Sequence, residues 1–204
     1  MLQHNASVGG AAFVEVGTTL RNLGLTRAAA ASYSAALYFV PNASRVYGAR
    51  AYARFQGGQF DMAASDWTRA MEIEKPSPRR LGDRASAYEL LARYDDAIND
   101  YTAAIALDPQ DARLLANRAR IYRYVGKFEL AATDYTTAQK LEPDFLAHVY
   151  LRGCAKLEGK RFAEAIADFE SVLSREPAGI WARDAKESLG EAQREAARIS
   201  KSPS

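Results

Sequence analysis

Cysteine and histidine are scarce in this sequence. Of its 204 residues one is cysteine, Cys154, and two are histidine, His4 and His148. A single cysteine excludes an internal disulfide framework and fits a reducing compartment. Cysteine and histidine form no metal-spaced cluster, and His148 and Cys154 lie about 120° apart around a predicted helix, too far for a catalytic dyad. We therefore predict a protein that is not an enzyme, with no catalytic residue, metal site or cofactor.

The sequence also lacks an excess of charge and a long apolar run. Lysine and arginine total 27 against 25 acidic residues, a net charge of +2 that gives no general reason to expect nucleic acid or an anionic membrane as partner. No stretch is apolar over the length of a bilayer span. The apolar run from Ala11 to Val16 is interrupted by Glu15 and lacks the basic segment of a signal peptide. We predict a cytoplasmic protein that does not bind membranes.

A period of 34 residues runs through most of the chain. Proline recurs at Pro109, Pro143 and Pro177, and Pro41 lies two periods before Pro109. Three further columns keep the same period: Ala29, Ala63, Ala97, Ala131 and Ala165; Tyr33, Trp67, Tyr101, Tyr135 and Phe169; and Ala36, Ala70, Ala104, Ala138 and Val172. Alanines seven residues apart lie on one helical face and allow close helix packing, while proline ends a helix. The pattern therefore predicts stacked helical hairpins.

We predict five hairpin repeats over 10–43, 44–77, 78–111, 112–145 and 146–177. Apolar residues after Pro177 recur at gaps of three and four from Trp181 to Ile199, which predicts a capping helix over 178–200. Residues 1–9 and 201–204 are predicted to be tails. The turn of the third repeat, Leu91-Ala92-Arg93, lacks the glycine found in the other turns.

This pattern resembles the tetratricopeptide repeat over residues 10–177. The family's small residue in the first helix is matched by Gly17, Ala51, Ala85, Ala119 and Gly153, and its preceding aromatic or apolar position by Phe13, Tyr47, Leu81, Leu115 and Val149. The resemblance implies an all-α, right-handed superhelical solenoid of five antiparallel helix-turn-helix repeats plus a C-terminal capping helix. It also implies a scaffold or adaptor that binds proteins. The 35-residue pentatricopeptide repeat, which binds RNA, fits the 34-residue spacing less well.

Arginine and aspartate form a further pair of columns, sixteen residues apart. The arginines are Arg50, Arg84, Arg118 and Arg152, and the aspartates are Asp66, Asp100, Asp134 and Asp168. In antiparallel hairpins the two columns can meet. We predict salt bridges within or between repeats, worth about 0 to 1 kcal/mol each if they are exposed. The alternative is a functional role for the aspartates.

The resemblance implies that inward-facing residues of the first helices line a groove for peptides. These residues are Arg45, Tyr52 and Phe55 in the second repeat, Arg79 and Glu89 in the third, Arg113, Asn117, Arg120, Arg123 and Tyr124 in the fourth, and Tyr150 in the fifth. Arg45, Arg79 and Arg113 occupy the same position in three consecutive repeats. Because guanidinium groups bind carboxylates bidentately, we expect an extended peptide partner with acidic residues or a free C-terminus.

Several other interpretations stay open. The arginines can form a solvated face without a ligand. Some family members clamp the acidic tail of heat-shock chaperones with two lysines, two asparagines and an arginine, and of these Asn117 alone has a match here. The protein can also be a structural subunit of an assembly, using its convex face or its ends, with self-association. Arginine with aromatic residues can bind RNA as well, through phosphate contacts and stacking.

Overall fold

Helices account for all regular secondary structure in the described part of the chain. The structure is a computed structural model that describes residues 2–200. Its helices are α1 (Leu2–Asn22), α2 (Thr26–Phe39), α3 (Ser44–Gln56), α4 (Phe60–Ile73), α5 (Pro78–Leu90), α6 (Tyr94–Leu107), α7 (Ala112–Tyr124), α8 (Phe128–Leu141), α9 (Leu146–Glu158), α10 (Phe162–Arg175) and α11 (Ala182–Ser200). The predicted all-α fold is confirmed.

The chain forms two compact units, Met1–Leu107 and Asp108–Ser204. The first unit contains α1 to α6 and the second α7 to α11. Within each unit every helix packs against the next one along the chain. Helices α3, α5, α7 and α9 begin at Ser44, Pro78, Ala112 and Leu146, the residues at which the second to fifth repeats are predicted to begin. Among residues 2–200 no helix is long and apolar enough to cross a bilayer.

The repeated columns form the cores of the hairpins. Tyr33, Tyr101 and Phe169 are fully buried, as are the alanines that flank them. The small residue of the first helix faces these rings: a Cβ added at Gly17 would lie 2.9 Å from Cε1 of Tyr33, and one at Gly153 would lie 2.7 Å from Cε1 of Phe169. Close contact with an aromatic ring therefore explains why these positions hold small residues.

The third repeat turns without a glycine. Ala92 has φ of 56°, in the left-handed region where the second and fourth repeats place Gly58 and Gly126. Backbone hydrogen bonds hold this turn, with the N–H groups of Ala92 and Arg93 donating to the carbonyls of Glu89 and Tyr88. The repeat thus keeps its turn geometry at the cost of some backbone strain.

Both ends of the chain refine the predicted boundaries. The structure differs from the predicted tail over residues 1–9, because α1 begins at Leu2. The start of α1 lies against the end of α2, since a Cβ added at Gly9 or Gly10 would lie 3.4 Å from the side chain of Phe39. Within the predicted cap, α11 covers the last hairpin with Ala185 and its neighbours, after a turn over residues 178–181. The predicted tail over 201–204 lies outside the described residues.

Candidate functional site

The arginine and aspartate columns form bidentate ion pairs inside the second to fifth repeats. Nε and Nη2 of Arg50 donate to the carboxylate of Asp66 at 2.8 and 2.7 Å. The same geometry recurs in three further pairs, Arg84 with Asp100, Arg118 with Asp134, and Arg152 with Asp168. The four aspartates are only 3 to 7% exposed. The stabilisation of about 0 to 1 kcal/mol expected for an exposed salt bridge therefore does not apply to these pairs. Their burial also shields the carboxylates from a ligand.

Each buried aspartate has a second neighbour one helical turn along. Arg54 donates to Asp66 at 2.7 Å, and Nζ of Lys156 lies 2.8 Å from Asp168. In the third and fourth repeats this position holds Tyr88 and Tyr122, whose rings face the paired arginine. Burial lowers the pKa of Arg54, and the charge of Asp66 opposes this effect. These networks serve the packing of the hairpins.

Arginines of the column also join consecutive repeats within the first unit. Nη1 of Arg50 donates to Oγ of Ser34 at 2.9 Å, and Nη1 of Arg84 donates to Oγ1 of Thr68 at 2.8 Å. Each hydroxyl belongs to the second helix of the preceding repeat. The arginine column is therefore structural in the repeats where both contacts occur.

A cavity of about 830 Å³ opens in the first unit between the end of α1, one face of α3 and the start of α5. We name it the basic cavity, because its lining carries five cationic side chains and two acidic ones. The cations are Arg21, Arg45, Lys75, Arg79 and Arg80, and the acids are Glu74 and Asp83. Five minus two gives a local charge of +3 in a chain whose net charge is +2. Positive charge is therefore concentrated at this cavity.

The cations of the basic cavity differ in how they are paired. Arg80 donates to Oε2 of Glu74 at 2.8 Å, a bond that lowers the pKa of Glu74. Arg79 is 86% exposed and lies 3.9 Å from Asp83. Arg45 and Lys75 form no hydrogen bond or ion pair with any residue that the structure describes. Two cations are thus available to an anionic ligand without breaking an existing pair, and a third is weakly held.

Asp83, one of the two acids in the basic cavity, reduces the positive potential of the cavity less than a full negative charge would. Burial raises the pKa of Asp83, and the neighbouring Arg79 counteracts part of the rise. Glu74 is already engaged by Arg80 and by Oγ of Ser44, at 3.0 Å. The cavity therefore presents a positive potential to a ligand despite its two carboxyl groups.

Small and aromatic residues form one side of the basic cavity, which we call its floor. Gly48 and Ala49 of α3 line it, together with the rings of Tyr52 and Trp67. Tyr52 is 38% exposed, and the guanidinium of Arg21 lies 5.6 Å from the centroid of its ring. A ligand in this cavity can therefore contact cations and an aromatic surface together.

Comparison with known proteins identifies the repeat. Two family models described as tetratricopeptide repeat match residues 79–111 and 116–180. It is a tetratricopeptide repeat protein. No curated protein matches the chain by sequence.

Solved structures of other tetratricopeptide repeat proteins have the same fold. A MamA structure superposes with a TM-score of 0.79 at 20% identity, covering 83% of this chain and 92% of that one. YrrB, described as a tetratricopeptide repeat protein with an unusual peptide-binding site, has a TM-score of 0.74 at 14% identity and covers 86% and 90%. The first such domain of Spaghetti (RPAP3), bound to the HSP90 peptide SRMEEVD, has a TM-score of 0.53 at 29% identity and covers 59% and 93%.

The groove residues predicted for this tetratricopeptide repeat protein separate into different environments. Arg45, Tyr52 and Arg79 lie together at the basic cavity. Phe55 instead packs against Phe60 and Trp67, with ring centroids 5.4 and 5.8 Å apart. Its assignment to an open groove is therefore corrected, because neighbouring aromatic rings half-bury it.

Tyr150 is likewise not on an open surface. Its ring stacks on Trp181 at 5.2 Å and lies 5.9 Å from Phe169, beneath the capping helix. Burial raises the pKa of Tyr150 to about 12. The sequence placed Tyr150 on the inward side of α9 but did not show that Trp181 would cover it.

The fourth-repeat residues lie in the second unit. Arg113 and Asn117 line a separate cavity of about 720 Å³ with Phe145 and His148. Arg113 is engaged by Asp111, the N-cap of α7, through two hydrogen bonds of 3.0 and 2.9 Å that raise the pKa of the arginine. Its role therefore differs from that of Arg45, although the two share a position in the repeat.

Arg123, Arg120 and Tyr124 are the other predicted residues of α7. Nε of Arg123 lies 3.0 Å from Oε2 of Glu158, whereas Arg120 and Tyr124 are exposed.

His148 and Cys154 have separate surroundings. His148 is buried, with its Nε2 atom 3.0 Å from Oε2 of Glu142, whereas Cys154 packs in the cluster under α11. Among residues 9–200, whose side chains the structure describes, no group of three or more potential metal ligands occurs.

Three cations of the basic cavity were missed by reasoning from the sequence. Arg21 stands 34 residues before Phe55, in the same column, so the repeat could have indicated it. Lys75 stands where the proline column predicts a proline, in the connection before α5. Arg80 points to the cavity only because Glu74 holds it there.

Tyr135 of the fourth repeat lacks the hydroxyl partner that Tyr33 and Tyr101 have in the first and third repeats. The hydroxyls of Tyr33 and Tyr101 bond to Thr18 and Ser86 at 3.1 and 2.9 Å, but the corresponding residue of the fourth repeat is Arg120. The buried Tyr135 hydroxyl has no hydrogen-bond partner in the described part of the chain. Such a group costs stability.

We predict that Tyr135→Phe leaves the free energy of unfolding unchanged or raises it by up to about 1 kcal/mol, whereas Tyr101→Phe lowers it by about 1 kcal/mol. Urea unfolding followed by circular dichroism measures both. Burial also raises the pKa of Tyr135 to about 12, against about 10 in the unfolded chain. From pH 10 to 12 the unfolded phenol loses its proton first, so stability falls with rising pH, and less steeply in Tyr135→Phe. Equal losses in the two variants at pH 7 would contradict the prediction.

Proposed function

We propose that this protein is a non-enzymatic cytoplasmic scaffold or adaptor that binds an extended acidic segment of a partner protein in the basic cavity. The observation that carries the proposal is the local charge of +3 around Arg45 and Lys75, which have no ion-pair partner among the described residues. Leaving cationic side chains together raises their electrostatic repulsion, which an anionic ligand relieves. The exposed part of the Tyr52 ring adds apolar contact.

The geometry of arginine suits carboxylates. Its planar guanidinium matches two carboxylate oxygens, and such bidentate bonds are stronger than neutral hydrogen bonds. A cavity of about 830 Å³ has room for several peptide residues rather than one side chain. We therefore assign an acidic peptide, with carboxylates reaching Arg45 and Arg79. A C-terminal carboxylate would satisfy the same chemistry.

Two relatives support a peptide ligand. Spaghetti (RPAP3) was solved with SRMEEVD, a peptide containing two glutamates and one aspartate. YrrB is described as having a peptide-binding site. These observations concern those proteins, and they support rather than establish the same use of the fold here.

Charge reversal at the basic cavity tests the proposal. We expect Arg45→Glu combined with Arg79→Glu to weaken binding of acidic peptides at least about 100-fold, since each substitution replaces attraction by repulsion. The probes are heptapeptides with three acidic residues on an array, including SRMEEVD, each beside a version with glutamine and asparagine in place of the acids. Fluorescence anisotropy of the retained peptides at two salt concentrations measures affinity, and salt should weaken it.

A matched control carries the same change of net charge outside the cavity. Arg27→Glu with Arg183→Glu also moves the formal charge from +2 to −2, since each substitution subtracts two. Both arginines are exposed. The control should lose less than about fivefold in affinity. Acidic peptides that bind no better than their amide versions, or equal losses in the two variants, would overturn the proposed function.

A further inference from the structure

Gly48 is a helical glycine that packing does not require. A Cβ added there would meet no atom within 4 Å, and its φ is not in the left-handed region. Gly17 and Gly153, in the first helices of other repeats, differ in this respect, because a Cβ there would lie within 3 Å of a buried aromatic ring. Core packing explains those two glycines and leaves Gly48 unexplained.

Glycine in the middle of a helix is less favourable than alanine, since it loses more backbone entropy on folding. The column containing Gly48 also has a glycine in the third repeat, Gly82, but it accepts side chains in the others: it holds Val14 in the first repeat, Ala116 in the fourth and Tyr150 in the fifth. At Gly48 the chain therefore gives up helix stability that neither the fold nor the repeat demands. Departures of this kind concentrate at functional sites.

The surroundings of Gly48 show what its missing side chain leaves open. Gly48 lines the basic cavity between Arg45, three residues before it, and Tyr52, four residues after it. Residues at these spacings share one face of a helix. The open space thus has a cation at one side, a partly exposed aromatic ring at the other and Trp67 in the same lining.

We propose that Gly48 is a specificity-determining residue that admits a large aromatic or aliphatic side chain of the acidic segment. The side chain rests on the α3 backbone at Gly48 and against Tyr52, while carboxylates on either side of it reach Arg45 and the other cations. The partner is therefore an acidic peptide with an apolar anchor. This inference rests on the proposed function and adds the anchor to it.

Two capped peptides and one protein substitution test the anchor. The probes are Glu-Glu-Phe-Glu-Glu and Glu-Glu-Gly-Glu-Glu, whose affinities are measured by titration calorimetry. The natural protein should bind the phenylalanine peptide about tenfold more tightly, because the ring is buried on the cavity floor. Gly48→Leu should reduce this ratio below about twofold by filling the space, and should change the affinity for the glycine peptide less than about twofold. Gly48→Ala should give an intermediate ratio.

Stability provides a second readout with a matched control. Gly48→Ala should raise the midpoint of thermal unfolding by about 2 °C. Gly190→Ala in α11 should raise it similarly, since an added Cβ meets only the flexible end of Arg194 at 3.3 Å. Only the substitution at Gly48 should change the ratio of peptide affinities.

The outcomes separate this inference from the proposed function. Equal affinities of the natural protein for the two peptides, or a ratio unchanged in a folded Gly48→Leu variant, would overturn the anchor and leave acidic-peptide binding intact. If neither peptide binds, both the anchor and the proposed function are wrong. A tenfold ratio that is lost in Gly48→Leu, with charge reversal at Arg45 and Arg79 abolishing both affinities, supports both.

Discussion

Replacing Asp66 by alanine is expected to lower the free energy of unfolding by about 3 kcal/mol. The substitution removes a carboxylate that is bonded to both Arg50 and Arg54. Their side chains are 15% and 19% exposed, so water replaces the lost partner only in part. Two neighbouring guanidinium groups would then repel each other in a poorly solvated site. Urea denaturation followed by circular dichroism at 222 nm measures the loss.

Two comparisons make the Asp66 prediction specific. Asp96→Ala breaks a surface pair in which Arg93 and Asp96 are 49% and 47% exposed, and it should cost less than about 0.5 kcal/mol. Arg84 keeps its bond to Thr68 in Asp100→Ala, as Arg50 keeps its bond to Ser34 in Asp66→Ala. Among the described residues Asp100 bridges no second arginine as Asp66 does, so Asp100→Ala should cost less. A loss below about 1 kcal/mol for Asp66→Ala would show that the network adds little stability.

Gly153→Val is expected to lower the free energy of unfolding by about 2 to 3 kcal/mol. Its Cβ would lie 2.7 Å from Cε1 of Phe169 and 3.1 Å from Cδ1 and Cζ. Phe169 is fully buried and packed against Val149 and Ala185, so the ring has no space into which to move. The added methyl groups therefore force a shift of α9 or an unfavourable rotamer.

Gly48→Ala is the natural control for this substitution, because it adds a Cβ to a helical glycine without a contact. Thermal unfolding should show a lowered midpoint for Gly153→Val and a raised one for Gly48→Ala. Phe169→Leu introduced into Gly153→Val should recover part of the loss by making room beside α9. If both glycine substitutions proved neutral, ring contact would not be the reason for Gly153.

The helices were predictable because their pattern is both local and repeated. Ala97 and Tyr101 are buried by the same kinds of neighbour as Ala131 and Tyr135 one period later. Each repeat therefore buries its apolar face with residues at the same positions, and these positions recur every 34 residues in the sequence. The turn at Ala92 was less predictable, since it adopts a left-handed backbone without a glycine.

The candidate site was predictable only in part. The repeat positions placed Arg45, Tyr52 and Arg79 on one surface, and these three residues do line the basic cavity. The same reasoning placed Phe55 on that surface, where Phe60 and Trp67 half-bury it. A repeat position determines the side of a helix on which a residue lies. Whether that residue is buried depends on the side chains of other helices.

The sequence by itself determined the family, the pairing of helices and the core columns, because these depend on the spacing of apolar and small residues along the chain. Only the tertiary structure decided which charges are free. It paired Arg50 with a buried Asp66 and Arg113 with Asp111, and left Arg45 without a hydrogen bond or ion pair to any described residue. It also decided that space lies open over Gly48. Charge pairing and open space depend on the distances between side chains of separate helices. The spacing of residues along the sequence does not determine those distances.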